Sequence, residues 1–145
     1  SGFLDWPRAR AFAEEVIETF DVRTPNAQSA ARSLSGGNLQ KFILGREIDA
    51  QPRVLLLAQP TWGVDVGAAA HIRAAILGLR DAGCAVLVVS EELDELFELC
   101  DGLHVMAQGR LSARIDRDQA DVALIGSWMS GLWPHAASAA SVGIA

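Results

Sequence analysis

The sequence predicts an α/β fold built on a largely parallel sheet. Apolar runs of strand length alternate with stretches of helical periodicity along the chain. The two strongest runs, VLLL from Val54 and CAVLVV from Cys84, are near-continuous in apolar residues, as strands of parallel sheets are. Each leads through a turn or a capping residue into a helix, which implies right-handed crossovers. With 145 residues, half of them hydrophobic, the chain is long enough for one modest domain with a real core.

The elements follow in order. Asp5 can cap a first helix with Pro7 just inside it, and Ala9, Phe12, Ala13, Val16, Ile17 and Phe20 keep the helical spacing. DVRTPNAQSAARS is a polar connection with room for a short helical turn. A second helix runs from Gly36 to about Ala50 and is stopped by Pro52. Arg53 to Leu57 is the first strand. Ala68 to Ala82 is helical, with Ile72, Ala75, Ile76 and Leu79 on one face and Gly83 as its stop. Cys84 to Val89 is the second strand, and Ser90 can cap the acidic helix EELDELFELC, whose early glutamates suit the helix dipole. Leu103 to Ala107 is a third strand, and QGR turns the chain into a short fourth, Leu111 to Ile115. Asp118 to Met129 is a last helix closed by Gly131, with Trp128 and Trp133 expected to fasten it to the sheet. Residues 133–145 are small and polar and are expected to form a disordered tail. There is no internal repeat and no sign of a second domain.

Composition narrows the function classes. The formal net charge of −6 offers no basic surface for nucleic acid. No apolar run approaches the roughly 20 residues needed to span a bilayer, and SGFLDWPRAR lacks the pattern of a secretory signal, so a cytosolic setting is expected. Cys84 and Cys100 have no metal-type spacing and read as small buried hydrophobes. His71, His104 and His135 have no partners at ligand spacing, and no metal site is predicted. The acidic run Glu91, Glu92, Asp94, Glu95 reads as a solvated helix face.

The working edge of such a sheet is the C-terminal end of its strands. That edge carries Ala58-Gln59 and Ser90-Glu91, where an enzyme handling phosphates would be expected to place carboxylates. Another segment bears on phosphates more directly: LSGGNLQK, Leu34 to Lys41. A Ser and two Gly sit where a helix begins, so free backbone N–H groups and the helix dipole converge on one spot, and Ser35 adds a hydroxyl. Taken alone this reads as a plain helix cap.

The order LSGGN, VLLLAQPTWGVD, VLVVSEELDEL and DGLHVMAQGRL resembles, in sequence and spacing, the second half of an ABC-transporter ATPase. It is most similar to the ATPases of importers for simple sugars and nucleosides, which carry two cassettes in one chain and whose signature often reads LSGGNQQK. The resemblance covers roughly residues 3–133. It implies a partial P-loop NTPase-like fold of three layers, with a mostly parallel sheet, the signature helix on the N-terminal side and the Walker A strand absent. Residues 1–52 would belong to the helical, signature-bearing subdomain and residues 53–132 to the C-terminal part of the RecA-like core.

By that resemblance Leu34, Ser35, Gly36, Gly37 and Asn38 form the signature motif, which grips the γ-phosphate of ATP held by the other cassette. Val54 to Gln59 matches the Walker B strand, Gly63, Val64 and Asp65 match the D-loop at the cassette–cassette contact, and Glu91 takes the switch-histidine position. Three departures weaken one site. Ala58, at the position of the Walker B Asp, offers Mg²⁺ no ligand. Gln59, at the position of the catalytic Glu, carries an amide that cannot accept a proton as a carboxylate can. Glu91 brings a negative charge where the family's His steadies phosphate. The sequence also holds no G-x-x-x-x-G-K-[ST], a loop that lies upstream in the family.

The resemblance therefore implies a fragment that lends its signature to a competent ATP site in the partner cassette. ATP and Mg²⁺ would act in the complete transporter, and the chain alone would neither bind ATP tightly nor hydrolyse it. The implied partners are the upstream part of the same cassette, a second cassette, transmembrane permease subunits and, indirectly, a solute-binding protein. The implied location is the inner face of the plasma membrane. An open sheet edge would favour self-association of the isolated chain. An alternative from another class is a nucleotide-independent interaction module derived from such a cassette. A third, an unrelated phosphate-binding enzyme, would need catalytic groups where Ala58 and Gln59 stand. Asp65 can cap the following helix, touch a partner, or do both. Trp62 is expected to lie buried under a neighbouring loop.

Overall fold

A computed structural model describes residues 5–133. They form two compact units, one ending at Leu99 and one beginning at Cys100. The boundary after residue 52 drawn from the sequence falls inside the first unit, and the tail read over 133–145 lies, beyond Trp133, outside the described residues.

The first unit runs α1 (Trp6–Thr19), α2 (Gly36–Asp49), β1 (Val54–Ala58), α3 (Val66–Asp81), β2 (Ala85–Val89) and α4 (Leu93–Leu99), with a 3₁₀ turn at Ala31–Ser33. Asp5 caps α1 as expected, its side chain accepting from the Arg8 N–H, with Pro7 in the first turn. The α1 and α2 helices pack closely because Gly45 has no side chain: a β-carbon there would fall 2.6 Å from a ring carbon of Phe20. Val16, Phe20, Leu44 and Ile48 fill the space around that contact, and Leu55, Leu57, Ile72 and Ile76 form the core between sheet and helix.

The strands β1 and β2 pair in parallel, Val54 opposite Ala85 through Ala58 opposite Val89. Their apolar runs lead one to expect burial on both faces, but only one face is covered. Leu55 and Leu57 are buried, whereas Val54, Leu56, Leu87 and Val89 are 53–69% exposed. Strand geometry sends alternate side chains to opposite faces, and α3 packs on β2 while the other face stays open. Each fully buried side chain of this size contributes roughly 1.5–3 kcal/mol, so the open face leaves several such contributions unrealised.

Two helix starts in this unit differ from the sequence expectation. The α4 helix begins at Leu93, because Ser90 Oγ accepts from the Glu92 N–H and holds Glu91 and Glu92 in a bend. The α3 helix begins at Val66, capped by Asp65, whose carboxylate accepts from the Ala68 N–H. Its end is as expected, with Gly83 at φ +94°.

The second unit is a hairpin followed by a helix. The two expected strands are each broken in two: β3 (Gly102–Leu103) and β4 (Met106–Ala107) on one arm, β5 (Arg110–Leu111) and β6 (Ile115–Asp116) on the other. All pairing is antiparallel, β4 with β5 and β3 with β6. Between the ladders His104 and Val105 face three residues, Ser112 to Arg114, a β-bulge in which Ser112 Oγ takes the Val105 N–H at 2.9 Å. Gln108 (φ +52°) and Gly109 (φ +72°) make the tight turn. The last helix, α5 (Val122–Met129), is shorter than the expected Asp118–Met129. Asp121 caps it through the Ala123 N–H, and Arg117–Gln119 form a separate 3₁₀ turn. It rests on β4, and Trp128 stacks on Trp133 with ring centroids 6.1 Å apart.

Candidate functional site

The site is built on the N-terminus of α2. Ser35 is its N-cap, with extended backbone and Oγ accepting from the Asn38 N–H at 3.4 Å and from Asn38 Nδ2 at 2.9 Å. Asn38 Oδ1 in turn accepts from the Arg23 N–H at 2.8 Å, which ties the connection after α1 to this first turn. The first-turn amides of a helix have no partners within it, so those of Gly36 and Gly37 are available at the helix end.

The turn after β1 is fitted against that end. A β-carbon on Gly37 would lie 2.6 Å from the carbonyl oxygen of Gly63, so the two backbones meet there with no room for a side chain. Gly63 itself has φ +73°, a conformation that suits glycine. Gln40 Nε2 donates to the carbonyls of Gln59 (3.2 Å) and Pro60 (3.3 Å), and holds the start of the turn. An open cleft of about 640 Å³ results, bordered by Ser35 to Lys41 on one side and Trp62 to Asp65 on the other. The structure thus brings together Ser35, Gly36, Gly37, Asn38 and Asp65 among the residues singled out in the sequence. Leu34 is half-buried just behind the cap.

Asp65 caps α3 and faces Lys41, Oδ2 lying 3.6 Å from Nζ. The Ala68 N–H above all, and the Lys41 ammonium with it, hold its carboxyl below the ordinary aspartate value against the opposing effect of desolvation. Lys41 fits no sequence motif for phosphate, and pattern reasoning missed it. It is 5% exposed, a buried cation in a stripe with Leu44 and Ile48. The signal was available: the sole lysine of the chain falls on the apolar face of its helix.

The strand ends lie elsewhere. Ala58 is exposed at the end of β1, and Glu91 is exposed in the bend after β2; neither borders the cleft. Gln59 has φ +50°, donates its N–H to the Val89 carbonyl and accepts the Ser90 hydroxyl on Oε1 at 3.3 Å. Its amide oxygen is therefore engaged in joining the two strand ends. Gln59 borders a smaller recess of about 270 Å³ with Thr61, Arg73 and Glu95. Glu95, expected on a solvated face, is buried and accepts from Thr61 Oγ1 at 2.7 Å.

Trp62 corrects another expectation. It is 77% exposed, because Pro60 fills the buried position of the turn and sends Trp62 outward to the rim between the two recesses. Cys84 is buried as expected, whereas Cys100 is half-buried. No helix among the described residues is long and apolar enough to cross a membrane.

No family model matches the chain. Similar sequences are nonetheless found over most of its length. It is 44% identical over 119 residues to the guanosine import ATP-binding protein NupO of Bacillus subtilis, covering 82% of this chain and 23% of that protein. It is 42% identical over 130 residues to the nucleoside import ATP-binding protein NupA of Lactococcus lactis, covering 90% and 26%. To the glucose import ATP-binding protein TsgD13 of Haloferax volcanii it is 45% identical over 130 residues, covering 88% and 24%. The chain spans about a quarter of the length of these relatives. Among solved structures, the post-hydrolysis dimer of the ATP-binding cassette MJ0796 with ADP and Pi superposes with a TM-score of 0.67 at 20% identity, over 80% of this chain and 50% of that one. A nucleotide-free ATP-binding cassette of an ABC transporter gives 0.57 at 27% identity, over 73% and 42%.

Proposed function

We propose that the chain, which has the α/β, P-loop NTPase fold of ABC-transporter ATP-binding cassettes, is the signature-bearing part of such a cassette in an importer of simple sugars or nucleosides. Residues through 52 then belong to the helical subdomain and residues 53–132 to the C-terminal part of the core. Ser35, Gly36, Gly37 and Asn38 present hydroxyl and backbone donors to the γ-phosphate of ATP bound by a second cassette, with Leu34 seated behind them. Asp65 stands at the contact with that cassette.

One observation carries this proposal: the α2 end and the Trp62–Asp65 turn share one cleft, while the strand ends present Ala58, Gln59 and Glu91 outside it. The donor set suits a phosphate. The strand ends do not suit a metal-bound one, since Ala58 provides no ligand, Glu91 repels phosphate and the Gln59 oxygen is committed to Ser90. This cassette's own site is accordingly degenerate, and ATP hydrolysis belongs to the site it completes. ATP and Mg²⁺ act in the whole transporter, with permease subunits, a solute-binding protein and the remainder of this cassette as partners, on the cytoplasmic face of the membrane.

Titration calorimetry of the 145-residue chain with ATP and Mg²⁺ tests the degenerate half of the proposal. The expected result is no binding tighter than about 1 mM, a free energy of roughly −4 kcal/mol. Micromolar binding to the chain alone would contradict it.

A further inference from the structure

We infer that Lys41 is the positioning residue that holds the Asp65 turn in register with the signature end of α2. An ammonium has three donors and no acceptor, and burial without partners is costly. Lys41 is nine-tenths buried and finds three oxygens: the Asp21 carbonyl at 3.1 Å, the Asp21 carboxylate at 3.6 Å and the Asp65 carboxylate at 3.6 Å. Those oxygens come from two segments remote in sequence, the connection after α1 and the turn before α3. Lys41 sits one helical turn beyond Gly37, the residue whose backbone touches Gly63. The same helix face therefore meets the turn twice, through a steric contact at Gly37 and a charged one at Lys41.

Asp21 adds to the arrangement. Its φ of +47° is uncommon for a residue other than glycine, though aspartate tolerates it, and its backbone oxygen accepts from the lysine. Asp65 is exposed, so its position is not fixed by burial; its carboxylate divides between the Ala68 N–H and Lys41. Removal of the cation leaves the cap intact and loosens the far end of the turn, while Gln40 still holds its start. The bearing of this contact on ATP chemistry rests on the function proposed above, whereas the contact itself does not.

The test uses the full 145-residue chain with Lys41→Met, Lys41→Arg and Asp65→Asn. Hydrogen exchange of the Gly63, Val64 and Asp65 amides is read beside a carbon-13 titration of the Asp65 carboxyl. The charged groups facing that carboxyl are Lys41 and, through it, Asp21, with Arg23 on the same cleft. In Lys41→Met the three amides are expected to exchange about tenfold faster relative to those of α3. The Asp65 midpoint is expected to rise while staying below the ordinary value, since the Ala68 bond persists. Lys41→Arg is expected to restore both. If Lys41→Met does not fold, Asp65→Asn keeps a capping side chain and removes the charge, and the same acceleration is expected.

Wild-type exchange of residues 63–65 in Asp65→Asn would overturn the inference. So would a Lys41→Met chain that loses thermal stability uniformly, with the Asp65 midpoint unmoved. In a complete transporter, Lys41→Met is expected to lower kcat for ATP hydrolysis with KM little changed. Turnover at the wild-type rate beside the expected exchange and titration changes would contradict the proposed ATP role and leave the Lys41 contact standing.

Discussion

A β-carbon at Gly37 would lie 2.6 Å from the Gly63 carbonyl oxygen, whereas one at Gly36 would meet nothing within 4 Å. In the proposed signature the two adjacent glycines therefore have different duties, Gly37 in packing and Gly36 in ligand access. Gly37→Ala is expected to destabilise the chain by about 1–3 kcal/mol in urea unfolding, the cost of forcing backbone apart. Gly36→Ala is expected to be neutral or stabilising by up to about 1 kcal/mol, since alanine favours helix. Asp65 supplies a pH dependence. Its folded value lies below the ordinary 3.8, so its contribution is present above that pH and is lost as pH falls through the lower folded value. The melting temperature of the wild type minus that of Asp65→Asn is expected to shrink as pH drops below about 4, measured by circular dichroism. At this scale the signature cap was legible, because Ser35 acts on amides within its own turn. Lys41 was not, because its partners are twenty or more residues away and only the fold brings them near.

Helices α1 to α3 and both parallel strands stand within about two residues of where periodicity and caps place them. The elements that differ share one cause: short polar side chains that bond to nearby backbone. Ser90 delays α4, Asp121 shortens α5, and Ser112 opens the hairpin at the bulge. The sequence shows that such residues cap or interrupt, but not which amide they will choose. Burial of the strands was misjudged for a different reason. A run of apolar residues states what a strand could bury, and the layers present decide what it does bury. The open face of Val54, Leu56, Leu87 and Val89, beside the two outer edges of the β1–β2 pair, supports the expectation of self-association. Leu56→Glu with Leu87→Glu is expected to shift the chain toward monomer in sedimentation velocity. It should leave the folded spectrum in circular dichroism unchanged, since both side chains already face outward. An unaltered mass distribution would show that this face does not drive association.

The whole molecule was legible mainly through the order of its motifs. LSGGN, strand, turn and second strand follow one another in the order that suggests an ATP-binding cassette, and the chain has the fold of such cassettes. Division into two units at Leu99 was not legible, because CDG between α4 and β3 has none of the Pro- or Ser-rich composition that marks a linker. Across the first unit, the donors at the end of α2 and the strand ends at Ala58, Gln59 and Glu91 occupy separate places, as the proposed role of completing another cassette's site requires. The most direct measurement is ATP hydrolysis by a complete importer containing this chain with Ser35→Glu. A carboxylate in the cap position would repel the phosphate that the wild-type hydroxyl and amides receive. Turnover is expected to fall by about 100-fold or more, as when an anion-stabilising donor is lost from a catalytic site. Hydrolysis at the wild-type rate would contradict it.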